Sequence, residues 1–450
     1  MKLLIKNTTI ITVNDQDQVL EHADLAVSGK NIVGVGKAPL DFIPDQVIDG
    51  KGKLVMPGLI NAHTHLSMTL MRNYADDLPF SYWLFKKIKP LEDHLLAVDV
   101  RLGAKLGIDE MIRGGTTCFH DMYFHMDEVA SEVESSGIRA CLTSALFDVS
   151  GNGEALLAQG CGLHKDWNGR SEGRITVQLG PHSPYLCSPE YLREILIEGR
   201  RLNCGIHIHV SETADELSES RRLHGCTPVQ HLSNLELFSL PTLAAHAVHL
   251  EEEDFKLLSE NGFSFFHNPG SNLKLANGFA SVEKMLKHSI NVALGTDGAA
   301  SNNNLNLFEE IHLAGLIHKV VNNSATALPA KTVIRMATIN GAKALKLDQE
   351  VGSLETGKKA DLIMLDIRQP HLVPCHDPLA LLVYSAQASD VTTVIVDGNI
   401  LMEDRQLQTL ELSSILEQAA HQSIDLIESG VALFIEAISD SDRIRRHPIK

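Results

Sequence analysis

Pro57-Gly-Leu-Ile-Asn-Ala-His-Thr-His65 is the stretch on which the reading of this chain turns. Before it lie short β-branched runs, at 3–5, 9–13, 23–27 and 31–35, punctuated by Gly29, Gly36 and Asp49-Gly50. Such runs between turn residues read as strands. From Leu59 onward the texture changes. Apolar runs at 59–61, 116–119, 139–144, 176–179, 205–210, 242–246, 264–267 and 292–296 alternate with amphipathic segments such as 98–113, 189–202 and 228–235. Eight strands joined by crossover helices over about 300 residues point to a (β/α)8 TIM-type barrel of the α/β class. An open doubly wound sheet is the competing arrangement. No Gly-x-Gly-x-x-Gly opens a helix near the start, which weakens its dinucleotide-binding form.

After Gly341-Ala-Lys-Ala344 the strand texture returns at 360–365 and 391–397, bounded by Gly357 and Gly398. The two ends of the chain therefore read as one small β-sandwich domain split by the barrel. The division expected is 1–56 for its first part, 57–358 for the barrel, and 359–450 for its second part with a closing helix at 412–438. The basic cluster at 443–447 reads as a solvated end.

Composition narrows the class of protein. The 450 residues carry 39 Lys plus Arg against 57 Asp plus Glu, a net charge of −18, which argues against a nucleic-acid partner. No segment reaches ~18 uncharged apolar residues, so no membrane-spanning helix is expected. Lys6 interrupts the apolar start, so a signal peptide is not expected either. The seven cysteines are widely spaced with no Cys-x-x-Cys, the usage of free thiols in a reducing compartment. A cytoplasmic location is the expectation.

The 22 histidines prompt a search for metal or proton-transfer chemistry. Residues two apart on an extended segment point to one side, so His63 and His65 can grip one ion. His-x-His alone is a weak signal. It gains weight here from its place at the C-terminal end of the first strand, the face on which barrels keep their chemistry. Three further strand ends supply matching groups. His209, followed by Glu212, closes the fifth strand, His246 closes the sixth, and Asp297 in Gly295-Thr-Asp-Gly298 closes the eighth. Three imidazoles and a carboxylate make a mononuclear site with an open position for water. Other histidines receive structural readings. His207 is assigned to the face opposite His209, His249 to packing or support, His120 to a supporting hydrogen bond, and His267 to the pocket's shape. No Lys follows the fourth strand to bridge a second metal, so one ion is preferred to two.

These residues resemble a known family. Val55-Met-Pro-Gly-Leu-Ile-Asn-Ala-His-Thr-His65, His207-x-His-x-x-Glu212 and Gly295-Thr-Asp-Gly298 resemble the amidohydrolase superfamily, metal-dependent hydrolases on a (β/α)8 barrel. Asp76-Asp-Leu-Pro, Pro90-Leu-Glu92, Gly180-Pro-His-Ser-Pro-Tyr-Leu-Cys-Ser188, Asn268-Pro-Gly-Ser-Asn-Leu-Lys-Leu275 and Met336-Ala-Thr-Ile-Asn-Gly-Ala-Lys-Ala-Leu345 narrow it. Together they resemble the 5′-methylthioadenosine/S-adenosylhomocysteine deaminases of the chlorohydrolase-like branch, over about 3–401. The resemblance implies His63, His65, His209 and Asp297 as ligands of a single zinc, with iron or manganese as other ions such donors accept. It implies Glu212, His246 and Asp297 as catalytic groups, Glu92 on the ribose hydroxyls and His182 on the purine. A homo-oligomer is a family expectation only.

The activity expected is hydrolytic deamination at C6 of an adenine nucleoside, giving the inosine form and ammonia. A relative acting on guanine, a pterin or a chlorinated or aminated triazine is the alternative, and an inactive structural homologue a remote one. One departure bears on substrate. Family members that accept S-adenosylhomocysteine can place arginines before the Pro-His segment; here Arg139, Arg170 and Arg174 flank a gap without Arg. The amino-acid carboxylate lacks a fork-shaped partner, which favours methylthioadenosine or adenosine.

Overall fold

The computed structural model describes residues 1–260 and 262–446, with side chains described through Ser429. Eight parallel strands run in sequence order around a nearly closed barrel: Leu59–Thr64, Thr116–Tyr123, Arg139–Leu146, Ile175–Pro181, Ile206–Val210, Thr242–His246, Ser264–His267 and Asn291–Leu294. Most of their residues are buried, as expected of strands covered by helices on one side and barrel packing on the other. The connecting helices carry ordinary start and stop signals. Pro189–Leu202 begins with Pro at its first position and Ser188 accepting from Tyr191 N, and ends at Asn203 in the left-handed region. Ala214–His224 begins with Thr213 accepting from Glu216 N, with Asp215 and Glu216 in its first turn and Arg221, Arg222 and His224 in its last.

The seam between the eighth and first strands is closed beyond the regular ladder. Thr296 N and Asp297 N both donate to His63 O, at 3.1 and 3.0 Å. Asn61 Nδ2 donates to Thr296 Oγ1 at 2.8 Å, and its Oδ1 accepts from Thr296 N. A Cβ at Gly295 would stand 2.8 Å from His63 N, so this approach requires glycine. Closure thus brings Asp297 against His63.

The chain ends meet in one nine-stranded mixed sheet. Lys53–Pro57 pairs antiparallel with Leu362–Asp366 and parallel with Lys2–Ile11. The strands Gln46–Asp49, Lys53–Pro57 and Asn399–Glu403, which the sequence reading did not single out, complete this sheet with Gln406–Leu407. Its core of Leu3, Ile5, Leu25, Val55, Leu362 and Ile395 is separate from that of the barrel. Arg139, at the start of the third barrel strand, ties the two together. Its Nε donates to Asp361 Oδ2 at 2.8 Å and its Nη2 to Asp397 Oδ1 at 2.7 Å, all three side chains 2% exposed. The closing helix spans Leu412–Arg446 and packs on Ala97–Arg113. The end of the 443–447 cluster, and the side chains of the closing helix from 430 onward, lie outside the described residues.

Between the first strand and Ala97–Arg113 the chain makes a long excursion of short turns. It comprises Leu66–Met71, Phe80–Trp83, the π-turn Leu84–Ile88 and Lys89–Glu92. This excursion roofs the C-terminal mouth of the barrel.

Candidate metal centre and active site

His63, His65, His209, Glu212, His246 and Asp297 lie at the C-terminal ends of the first, fifth, sixth and eighth strands, and the barrel brings all six together. Two strand ends turn abruptly. His246 and Asp297 take φ of 75° and 62°, left-handed values costly for residues with a Cβ.

The donor atoms converge at short range. His65 Nε2 lies 3.2 Å and His63 Nε2 3.5 Å from Asp297 Oδ1. His209 Nε2 lies 3.3 Å from His65 Nε2. Four ligands at tetrahedral zinc distances stand about 3.3 Å apart, so the spacing fits a divalent ion at their centre. His63 Nε2 is buried without a hydrogen-bond partner, an orphan that such an ion satisfies. His246 lies within 4.8 Å of the His63 and His209 nitrogens, but it faces Glu212, its Nε2 3.8 Å from Glu212 Oε1.

The far side of each imidazole is held. His65 Nδ1 donates to Met122 O at 2.6 Å and His209 Nδ1 to His182 O at 2.7 Å. His63 Nδ1 lies 2.9 Å from His207 Nε2. With Nδ1 committed as donor, each Nε2 presents its lone pair to the centre. This corrects the expectation for His207. Residues two apart share a side, so His207 faces the same barrel interior as His209, one layer deeper. Its role remains structural: it orients His63 and packs against the His120 ring, with centroids 4.0 Å apart and planes tilted by 31°. The His120 ring also packs edge-on against Phe266, with centroids 5.6 Å apart. His249 donates to Asn277 O at 2.8 Å, and His267 pairs with His318 at 2.9 Å.

Charge follows burial and contact. Burial would raise the Asp297 carboxyl, yet the imidazoles of His63 and His65 hold it well below the usual carboxylate range. Burial raises the Glu212 carboxyl, against the opposing pull of His246. Burial lowers His182 to about 3, so this ring is neutral. Burial likewise raises Glu92.

A cleft opens over the donors. Its walls include Glu92, Trp83, Tyr123, Phe124, His182 and Tyr185, with Met68 near the floor. Met68 and Trp83 line the cleft, and Leu66 and Met71 are buried away from it. Arg139 is committed to Asp361 and Asp397, Arg170 stacks over Trp167 at 4.8 Å, and Arg174 donates to Ile138 O. Among the described residues that line the cleft, none is Lys or Arg.

Sequence reasoning missed Ser271, Asn272 and Asn277, which bond to Asp297, His246 and Glu212 respectively. Two of them stand inside the Asn268–Leu275 motif; Asn277 stands beyond it and carries no sequence signal.

The amidohydrolase family model matches residues 54–401. A protein of Thermoanaerobacter pseudethanolicus described as 5-methylthioadenosine/S-adenosylhomocysteine deaminase is 49% identical over 430 residues, covering 95% of this chain and all of that one. One of the same description from Caldanaerobacter subterraneus subsp. tengcongensis is 50% identical over 435 residues, covering 96% of this chain and all of that one. Among solved structures, an adenosine deaminase from Xanthomonas campestris with bound zinc superposes with a TM-score of 0.91 at 36% identity, covering 95% of this chain and 98% of that one. An atrazine chlorohydrolase from Arthrobacter aurescens TC1 complexed with zinc reaches 0.88 at 25% identity, covering 94% of this chain and all of that one. The chain belongs to the amidohydrolase family and is a metal-dependent hydrolase acting on carbon–nitrogen bonds.

Proposed function

We propose that the chain is a zinc-dependent hydrolytic deaminase of adenine nucleosides. One observation carries this reading: four metal-type donors at 3.2–3.5 Å contacts stand beside a carboxyl and an imidazole, Glu212 and His246, on the floor of one cleft. The relatives described as deaminases of 5-methylthioadenosine and S-adenosylhomocysteine support the substrate class, and the zinc-bound neighbours support the metal.

His63, His65, His209 and Asp297 would hold the ion. Bound zinc supplies Lewis acidity, which brings the pKa of water towards ~7. Glu212 accepts a proton from the attacking water and passes it to purine N1. Addition of oxygen at C6 breaks the ring's conjugation, so N1 must carry that proton, and one carboxylate within reach of both serves both transfers. His246 stabilises the oxygen that enters at C6 by donating to it. Asp297 orients the water through its carboxylate and helps a proton reach the departing amine. The C6–N bond breaks, the C6–O bond remains, and the products are the inosine-type nucleoside and ammonia. His182, neutral and stacked 4.6 Å from His209, and Glu92 both line the cleft, which supports His182 as the contact to the purine and Glu92 as the contact to the ribose hydroxyls.

With no Lys or Arg among the lining residues described, a free amino-acid carboxylate in the cleft has no fork-shaped cation to pair with. This favours methylthioadenosine or adenosine over S-adenosylhomocysteine. The test is kcat/KM for methylthioadenosine, adenosine, S-adenosylhomocysteine and guanine, read as ammonia release. The expected order has the first two above the third, with guanine near background. Turnover of guanine with none of any adenine nucleoside would overturn the reading.

A further inference from the structure

The segment 268–277, Asn-Pro-Gly-Ser-Asn-Leu-Lys-Leu-Ala-Asn, has no part in the chemistry above. It leaves the seventh barrel strand and forms the short helix Pro269–Lys274. Three of its side chains reach three different groups of the site. Ser271 Oγ donates to Asp297 Oδ2 at 2.6 Å. His246 Nδ1 lies 2.9 Å from the side-chain amide of Asn272, whose NH2 group, otherwise buried without a partner, donates to it when turned towards the ring and leaves the proton on Nε2. Asn277 Nδ2 donates to Glu212 Oε1 at 2.9 Å. The three groups so held stand at the ends of three different strands, the eighth, sixth and fifth.

The segment is itself fixed from behind. Gly270 N donates to Glu310 Oε2 at 2.9 Å, and Glu310 Oε1 accepts from Asn302 Nδ2 at 2.8 Å. Asn302 Nδ2 also donates to Thr296 O, so one anchor holds both this segment and the backbone preceding Asp297. A Cβ at Gly270 would stand 2.4 Å from Glu310 Oε1, so any other residue pushes the segment off that anchor. Further along, Lys274 Nζ bonds to Asp76 and Asn303. Asn277 N donates to Asn272 O, and Asn277 O accepts from His249.

From this geometry we infer that 268–277 is one positioning element for the reaction, in which Asn277 sets Glu212, Asn272 sets His246 and Ser271 sets Asp297. The inference rests on the deaminase reading of the same site. Each bond commits one atom of its target and leaves the other for chemistry. Asn277 occupies Glu212 Oε1, which leaves Oε2 for the water and the ring. Asn272 takes His246 Nδ1, which fixes Nε2 towards Glu212 and the incoming oxygen. Ser271 takes Asp297 Oδ2, while Oδ1, which also accepts from Gly298 N at 2.8 Å, faces His63 and His65. Single bonds of this type to ionised partners are among the stronger ones in proteins, and outer partners of metal ligands govern metal affinity.

The test uses the full chain loaded with zinc and the substitutions Ser271→Ala, Asn272→Ala and Asn277→Ala. Three readouts are taken: zinc retention against a chelator, melting temperature, and kcat with KM for the best nucleoside. Ser271→Ala is expected to hold zinc about ten- to a hundredfold less tightly. Asn277→Ala and Asn272→Ala are expected to retain zinc and KM as in the parent while kcat falls about ten- to a hundredfold. If alanine at 277 prevents folding, Asn277→Ser must show the same split. Parallel losses of zinc, melting temperature and rate in all three variants, or a parental kcat in Asn277→Ala, overturn the inference. Zinc retention and melting need no substrate. A parent chain that deaminates nothing therefore defeats the functional reading, whereas an active parent with unsplit variants defeats only this inference.

Discussion

Replacing Glu212 by Gln removes the proposed proton carrier while preserving shape. Glu212 is 5% exposed, with Oε1 accepting from Asn277 and its backbone N donating to Glu216. Gln at 212 keeps a carbonyl oxygen for Asn277 and the same volume. Its amide cannot take a proton from water or give one to N1. Each such transfer is worth about 10²–10⁴ in rate, and both pass through this residue. The expected loss in kcat is therefore about 10⁴-fold or more, about 5 kcal/mol in the barrier. None of the donors at His63, His65, His209 or Asp297 is touched, so zinc content stays near that of the parent. Burial already disfavours the charge on Glu212, so the melting temperature is expected to equal or exceed the parent's. The assay is ammonia release under saturating nucleoside, with zinc measured on the same sample. Retention of more than a tenth of the parent's rate refutes the assignment. Loss of zinc in step with activity refutes the claim that Glu212 acts on protons and not on the metal.

Other outcomes follow from the same geometry. Burial raises Glu212 above its ordinary 4.5, and a base works only when ionised; kcat/KM therefore falls as pH drops through the raised value, and an acid limb at or below 4.5 contradicts this. His207→Phe deprives His63 Nδ1 of its acceptor, so zinc affinity falls about 10–100-fold in chelator competition, and unchanged affinity counts against the orienting role. Arg139→Met leaves Asp361 buried without its cation and Asp397 with only Lys30 at 3.5 Å, and costs about 3–5 kcal/mol in unfolding experiments. Adding Asp361→Asn and Asp397→Asn recovers most of that loss, and failure to recover means that Arg139 acts through packing.

The parts of the site legible in the sequence share one property: they lie at strand ends. Once the alternation from Leu59 is read as a barrel, the ends of its strands must converge, and His63, His65, His209, His246 and Asp297 all fall there. Glu92 was reachable only through resemblance. It sits in an excursion of short turns with no periodicity to place its side chain. His207 was misassigned to the wrong face although the two-residue period gives its side directly.

The sequence by itself determined the class of fold and pointed to the residues that could serve as metal-type donors. These follow from local pattern and composition, and need no knowledge of who touches whom. Only the tertiary structure decided how the donors pair. His63 and Asp297 are separated by nearly the whole barrel in the chain, and they meet because Thr296 and Asp297 close the seam on His63 O. The structure also disclosed the hold of Ser271, Asn272 and Asn277 on three groups from three other strands. Side-chain hydrogen bonds across a closed barrel depend on register, closure and backbone turns such as those at His246 and Asp297, and no local sequence pattern encodes them.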